Sequence, residues 1–161
     1  MKPSGAKKAQ PVRMFVSYSH ENASWCKRLL PVLRVKANVD ALQPWHDTEL
    51  KVGDRWDKEI RVELERMHIF LCLVSYQFLS SAYIQTVELP VAKARHKNGE
   101  IEVVPVVLYP MDLKHDCKFL YELNPVPGWG KCWRDYRNLN VALYPIGNGI
   151  KQAIEKARLR C

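Results

Sequence analysis

Polar and aromatic side chains follow the apolar runs of this chain at the points where strands would end. Ser17, Tyr18 and Ser19 follow the first run, and Trp45 and Asp47 follow the second. In a doubly wound parallel sheet, such positions meet in a crevice at the carboxyl ends of the strands, where ligands bind. Hydroxyl and backbone N–H groups there can take up the oxygens of a phosphate or a ribose. Turn formation and helix capping are the alternative roles, and for Ser19 the two are equally favoured.

The common signatures of nucleotide and hydrolase sites do not occur in the sequence. It has no Walker loop, no Gly-x-Gly-x-x-Gly, no His-Glu-x-x-His and no Gly-x-Ser-x-Gly. The five histidines are isolated from one another, so we predict no metal site and no bound cofactor. The five cysteines are scattered without a Cys-x-x-Cys pair, which predicts reduced thiols. Cys72 lies inside an apolar run, where a buried, unreactive thiol is expected.

Apolar runs of strand length alternate with segments of helical periodicity. The predicted strands cover residues 12–18, 40–45, 69–74 and 101–109, and the continuous apolar run at 69–74 is typical of a central strand. Helical spacing predicts helices after each of these strands, the surest of them at 54–67. Pro31 is expected to kink or shorten the first helix, and Pro105 favours an edge strand or a bulge.

This alternation predicts an α/β fold with a flavodoxin-like, doubly wound parallel sheet of about five strands and helices on both faces. Residues 110–145 show little periodicity and are expected to form loops and short turns, before a closing helix at 146–159. We predict a flexible basic lead-in at 1–11 and one domain at 12–160.

The net charge of +8 is concentrated at the two ends of the chain. Residues 1–13 carry +4 and residues 151–161 carry +3, which leaves +1 for residues 14–150. Solvated charge on a tail and a terminal helix explains this distribution, so nucleic-acid binding is a minority hypothesis. No apolar run approaches the roughly 18 residues of a membrane span, and no signal peptide precedes the domain, so a cytoplasmic protein without membrane contact is expected.

Four sequence blocks, in the same order and at the same spacing, resemble the TIR (Toll/interleukin-1 receptor) domain family, particularly its bacterial members. The blocks are residues 15–21, 45–60, 73–89 and 104–112, and the similarity extends over about residues 12–160. The resemblance implies self-association through contacts between TIR domains, a role in defence signalling, and in many bacterial and plant members cleavage of NAD at the nicotinamide–ribose bond.

The resemblance also assigns the catalytic carboxylate to Glu88, on the helix after the third strand. A carboxylate beside the ribosyl centre can stabilise developing positive charge or hold a ribose hydroxyl. Many of these enzymes place a tryptophan four residues before the glutamate, where this chain has Ile84 with Tyr83 beside it. Ser17, Tyr18, Ser19, Trp45, Asp47, Tyr83 and Ile84 are therefore the expected substrate-binding residues. Pro90 disfavours helical geometry at Leu89.

Two further roles fit the sequence besides an NAD-cleaving enzyme activated by self-association. One is a TIR domain that only assembles protein complexes, with a sensor domain or partner protein supplying the signal. The other is a nucleotide-binding or receiver-like α/β domain. The receiver role is the weakest, because Ser17, Tyr18 and Ser19 stand where aspartates would be needed for a metal.

Overall fold

The fold is an alternation of strands and helices that begins at Val12. The structure, a computed structural model, describes residues 10–46 and 54–161. Its elements in chain order are β1 (Val12–Ser17), α1 (Ala23–Asp40), β2 (Leu42–His46), α2 (Asp54–Arg66), β3 (Ile69–Val74), α3 (Tyr76–Ser80), a π-helical turn (Ile84–Glu88), α4 (Leu89–Lys97), β4 (Glu102–Val107), α5 (Leu113–Asp116), α6 (Lys118–Tyr121) and α7 (Leu143–Arg158).

The four strands form one parallel sheet in the order β2-β1-β3-β4. Every residue of β3 is buried, and β3 lies between β1 and β4, as its continuous apolar run predicts. The register aligns Phe15 of β1 with Phe70 of β3, and Phe70 with Val103 of β4. The predicted parallel sheet through these three segments is therefore confirmed.

Helices cover both faces of the sheet, which makes the fold doubly wound. Successive side chains of a strand point to opposite faces. Met14 and Val16 of β1 accordingly enter a core beneath α1 and α7, whereas Phe15 enters a second core beneath α2 and α4. The predicted flavodoxin-like class of α/β fold is confirmed.

The sheet has four strands among the described residues instead of the expected five. Val126 alone pairs beside β4, through hydrogen bonds from Val107 N to Val126 O (2.9 Å) and from Val126 N to Pro105 O (2.8 Å). Asn124, the preceding residue whose backbone would face β4, has a left-handed conformation (φ 52°) that an extended strand does not adopt, so the pairing does not continue through it. Residues 110–142 otherwise form loops and turns, as predicted, but also the short helices α5 and α6, which were not predicted, and α7 begins at Leu143.

Two prolines test the expectations for α1 and β4. Helix α1 continues through Pro31 to Asp40, so of the two expected effects, a kink or a shortening, the shortening does not occur. Both Pro31 and Lys27 are exposed, and water can therefore satisfy the Lys27 carbonyl that has lost its donor. Pro105 lies in β4 at the edge of the sheet, in agreement with the prediction.

Within the described part of the chain, no helix is long and apolar enough to cross a membrane.

Candidate functional site

A cleft opens at the carboxyl ends of β1 and β2, between these strands, the start of α2 and the π-helical turn. Seven of the eight residues expected at the site line this cleft: Ser17, Tyr18, Ser19, Trp45, Tyr83, Ile84 and Glu88. Asp47, the eighth, lies outside the described residues. The cleft therefore lies where ligands bind in doubly wound sheets.

Glu88 and Ser17 form the polar centre of the cleft. The Ser17 hydroxyl donates a hydrogen bond to Oε2 of Glu88 at 2.9 Å, across 71 residues of sequence. Ser17 is 1% exposed and Glu88 is 6% exposed, so this contact is shielded from bulk water. A hydrogen bond to a carboxylate in such surroundings is stronger than the same bond in water. The last residue of β1 thereby orients the carboxylate.

The π-helical turn Ile84–Glu88 brings Glu88 to the cleft. Its wider hydrogen bond runs from Leu89 N to Ile84 O, five residues apart. Leu89 has helical angles (φ −66°, ψ −41°), so the expectation that Pro90 disfavours helix there was wrong. A proline ring collides with the carbonyl four residues earlier in a regular helix, and the wider turn relieves that collision. Such π-helical turns occur frequently at functional sites.

Two pairs of aromatic rings form the apolar walls of the cleft. Trp45 packs on Phe15 with ring centroids 4.9 Å apart, and Trp56 packs on Tyr83 at 4.7 Å and 46°. Trp45 thus packs against the core and also lines the cleft. The indole of Trp56 lines the cleft as well, although its spacing predicts only an anchor on the core-facing side of α2. These rings offer flat surfaces for a planar heterocycle.

Tyr83 is held in place by a hydrogen bond to α2. Its hydroxyl donates to Oδ1 of Asp57 at 2.7 Å, and Arg61 donates to both carboxylate oxygens of Asp57 at 3.0 Å. These bonds, the one from Tyr83 first, lower the pKa of Asp57. Burial and then the bond to Asp57 raise the pKa of Tyr83, so the phenol remains protonated at neutral pH.

The turn after β1 leaves its serine available to a ligand. Asn22 N bonds to the backbone oxygen of Ser19 at 2.8 Å, while the Ser19 hydroxyl makes no capping bond to the described residues. Ser19 therefore has only a backbone role in the turn, and its side chain faces the cleft. Below this turn, Ser75 donates to Oδ1 of Asn22 at 2.6 Å and links the ends of β1 and β3.

Two polar residues of the cleft, His20 and Ser81, were not predicted to lie there. His20 is exposed at the mouth, edge-on to the ring of Tyr18 at 6.4 Å, and its position directly after Ser19 was the available signal. Ser81 accepts a hydrogen bond from Ile84 N at 3.4 Å. Seven residues, about two helical turns, separate Ser81 from Glu88, so helical spacing could have placed both on one face.

Nucleophilic thiols and metal clusters play no part in the described cleft. Burial raises the pKa of Cys72 well above its usual value, as expected for an unreactive buried thiol. Burial likewise raises the pKa of Cys26 to about 11. Over residues 10–46 and 54–161, no group of three His, Cys, Asp or Glu side chains could hold a metal ion. Glu88, the hydroxyls around it and the imidazole of His20 are the reactive groups that the described cleft offers.

The cleft is small for a ligand site. The described residues enclose about 80 Å³, whereas pockets that bury small ligands enclose roughly 300 Å³ or more. A ligand larger than one aromatic ring therefore extends beyond these walls.

Fold and cleft together define a doubly wound α/β domain with a buried carboxylate beside aromatic rings at the strand ends. A sequence model of the TIR domain matches residues 14–139, and the chain belongs to the TIR domain family. The chain is also similar to the uncharacterized protein y4lF of Sinorhizobium fredii, with 28% identity over 140 residues. That similarity covers 87% of this chain and 43% of the relative, so the chain spans less than half of the relative's length.

Proposed function

We propose that this TIR domain cleaves NAD at the bond between nicotinamide and ribose, with Glu88 as the catalytic carboxylate. The observation that carries the proposal is the buried Glu88, which accepts a hydrogen bond from Ser17 inside a cleft walled by aromatic rings. The family includes enzymes with this activity, and the cleft lies at the strand ends where they bind the dinucleotide. NAD is the substrate here, and the reaction needs no other cofactor.

For this reaction the protein has two main tasks: to position NAD and to place a negative charge beside the ribose. The bond between ribose C1′ and nicotinamide N1 breaks, and its electron pair leaves with nicotinamide. Positive charge then develops at the ribosyl centre, where the carboxylate of Glu88 stabilises it or holds a ribose hydroxyl. Water adds to C1′ and loses a proton to give ADP-ribose, or another atom of the same molecule adds and gives a cyclic isomer.

The other cleft residues bind and orient the substrate. Trp56 and Tyr83 offer stacking surfaces for the nicotinamide ring, with Ile84 as the apolar neighbour in the position where related enzymes carry tryptophan. The Ser19 hydroxyl and the backbone of Tyr18 are donors for ribose or phosphate oxygens. To the segment around Trp45 and Asp47 we assign the role that this segment has in the family, covering the nucleotide and contacting the next subunit.

The direct test is chromatography of NAD incubated with concentrated protein, comparing wild type with Glu88→Gln. The substitution keeps the shape of the side chain and removes its charge. We expect cleavage to fall on the order of 100-fold or more while NAD affinity changes little, since the lost interaction acts mainly in the transition state. Glu155→Gln, an exposed glutamate on α7, is the matched control and should cleave NAD as wild type does.

Two results would decide against this assignment. Undiminished cleavage by a folded Glu88→Gln protein would transfer the catalytic role to another carboxylate, Asp47, Glu49 or Asp112. The second result is that neither wild type nor the two variants, Glu155→Gln and Glu88→Gln, cleave NAD detectably under conditions where the domain self-associates. That result would favour a domain that assembles protein complexes without catalysis. The small volume of the cleft is the observation that favours this second function.

A site shared between subunits accounts for the small cleft if the domain is an enzyme. The segment around Trp45 and Asp47 of one copy would complete the pocket of the next, and self-association would then switch on catalysis. We propose that a sensor domain or a partner protein supplies the trigger, in a cytoplasmic defence pathway.

A further inference from the structure

A second concave site lies at the opposite, amino-terminal end of the sheet. It encloses about 390 Å³ and is lined by Gln10, Pro11, Arg13, Arg66 and His68. Arg13 lies at the start of β1, and Ser17 at the end of the same strand borders the catalytic cleft. Four residues of strand separate the two sites by about 13 Å along β1. An occupant of this basic groove would therefore leave the cleft accessible.

The guanidinium groups of the two groove arginines have no partner among the described residues. Neither Arg13 nor Arg66 forms a side-chain hydrogen bond or an ion pair with any residue in the described ranges 10–46 and 54–161. Other arginines of the domain are paired: Arg61 with Asp57, Arg95 with Glu100 and Arg160 with Glu102. The charges of Arg13 and Arg66 are thus available to an anion, and they do not hold the fold together.

Arg95, Glu100 and Glu102, which lie near the groove, are already engaged in other contacts. Arg95 donates to the backbone oxygens of Leu64 (2.8 Å) and Met67 (2.9 Å), and so satisfies carbonyls at the end of α2. The carboxylates of Glu100 and Glu102, which lie on the adjoining β4 side, are bound to Arg95 and Arg160. Two arginines and no carboxylate line the groove, so its lining is positively charged.

His68 contributes a third donor. Its Nδ1 accepts a hydrogen bond from the backbone N–H of Arg13 at 3.0 Å, and its own backbone N–H donates to the Arg13 carbonyl at 2.8 Å. Burial, together with the charges of Arg95 and Arg13, lowers the pKa of His68. The neutral ring thus carries its proton on Nε2, a donor whose orientation is set by β1.

We infer that Arg13, Arg66 and His68 form a binding site for the diphosphate group of a small molecule. Guanidinium groups bind phosphate oxygens in pairs, and the imidazole N–H and the Gln10 amide add neutral donors. A volume of about 390 Å³ fits a small molecule rather than the broad surface that a duplex needs. Free diphosphate and the diphosphate of a nucleotide share this chemistry.

The test measures binding of inorganic diphosphate, ADP and adenosine to the full chain by isothermal titration calorimetry at constant ionic strength. Diphosphate should bind saturably, and adenosine should not. Tighter binding of ADP than of diphosphate would identify a nucleotide as the ligand, and equal affinity would identify the free anion. The double variant Arg13→Gln/Arg66→Gln should weaken binding of diphosphate by about 100-fold, since each arginine supplies charge-assisted hydrogen bonds.

Arg134→Gln/Arg137→Gln is the matched control, because it removes the same charge from two exposed arginines outside the groove. Its affinity for diphosphate should stay within about 2-fold of the wild-type value, and all proteins should show the same thermal unfolding without ligand. An equal loss of diphosphate affinity in both double variants would show that binding reflects general attraction between charges and not a specific site. If wild type showed no saturable binding of diphosphate, the proposed site would be refuted. Tighter binding of a single-stranded oligonucleotide than of ADP, weakened by the Arg13/Arg66 change, would assign the groove to nucleic acid instead.

Discussion

At the scale of single residues, the candidate site depends on a contact between a serine and a glutamate. Ser17 ends β1 and Glu88 ends the π-helical turn, and their hydrogen bond joins the two elements within the core. A buried carboxylate needs such donors, because burial of a charge without partners is costly. The same contact thus serves both stability and the proposed chemistry.

Replacing Ser17 with alanine tests this contact. Ser17→Ala removes one donor from Glu88, so we expect the free energy of unfolding to fall by about 1 kcal/mol and NAD cleavage to fall about 10-fold. Denaturant unfolding and nicotinamide release measure the two effects. Ser80→Ala, at an exposed position on α3, is the control and should leave both quantities unchanged. Full cleavage by Ser17→Ala would show that Glu88 does not need this donor.

A second residue-scale prediction concerns pH. Tyr83→Phe keeps the ring against Trp56 and removes the hydrogen bond that is the first cause of the lowered pKa of Asp57. A depressed carboxyl pKa stabilises the fold at pH values above the ordinary Asp value near 4, and that stabilisation is lost as the pH falls through the folded-state pKa. The difference in melting temperature between wild type and Tyr83→Phe should therefore be present at pH 7 and shrink toward pH 2.

The control for this pH effect is Tyr76→Phe, which removes an exposed hydroxyl that donates to Asp116 and not to Asp57. An NMR titration should show the pKa of Asp57 rising in Tyr83→Phe and unchanged in Tyr76→Phe. A melting difference that grows toward low pH would contradict the role assigned to Asp57.

At the scale of elements, helix α7 packs closely against the segment around Val126, which lies along the outer edge of β4. A Cβ added at Gly149 of α7 would lie 2.6 Å from Cγ1 of Val126, the residue that pairs with β4. At Gly147, two residues earlier, an added Cβ would meet Cγ1 of Val32 at 3.6 Å, an ordinary contact. Helix α7 therefore has room for a methyl group at Gly147 but not at Gly149.

These two positions make a matched pair of substitutions. Gly149→Ala should lower the free energy of unfolding by about 1–3 kcal/mol, because Val126 must move away from the helix. Gly147→Ala should raise it by about 0.5–1 kcal/mol, since alanine favours helix and fits the space. Thermal or denaturant unfolding measures both. A stabilised Gly149→Ala would show that the Val126 segment yields easily and does not depend on α7.

At the scale of the whole molecule, the small cleft predicts a site completed by a second copy of the chain. Specific activity should then rise with protein concentration or crowding, because shared pockets fill by mass action. A sharper test mixes two inactive variants, Glu88→Gln and Asp47→Ala. If Asp47 acts on the neighbouring copy, some pockets in the mixture combine an intact Glu88 with an intact Asp47, and activity returns to as much as about a quarter of the wild-type value.

The double variant Glu88→Gln/Asp47→Ala is the control for this mixing experiment, and adding it to either single variant should restore nothing. Chromatography of released nicotinamide reads out every mixture. No recovery on mixing, together with a specific activity that is constant over a wide range of protein concentration, would mean that each pocket is complete within one chain.

The sequence by itself determined the architecture and the neighbourhood of the site. The run Ile69–Val74 has no polar residue and can be buried only in a central strand, and Pro105 confines β4 to an edge. Ser17, Tyr18, Ser19 and Trp45 meet in one cleft because the carboxyl ends of parallel strands share one end of the sheet. Tyr83, Ile84 and Glu88 line the same cleft, but the resemblance to the TIR family assigned them, and composition did not.

Only the tertiary structure decided which atoms meet within that cleft. The bond from Ser17 to Glu88 crosses 71 residues, and the bond from Tyr83 to Asp57 crosses 26, so no local pattern encodes either contact. The π-helical turn before Pro90 and the single pairing of Val126 also depend on how neighbouring elements pack. Contacts between distant residues arise from the combined packing of all elements, whereas periodicity reports each element separately.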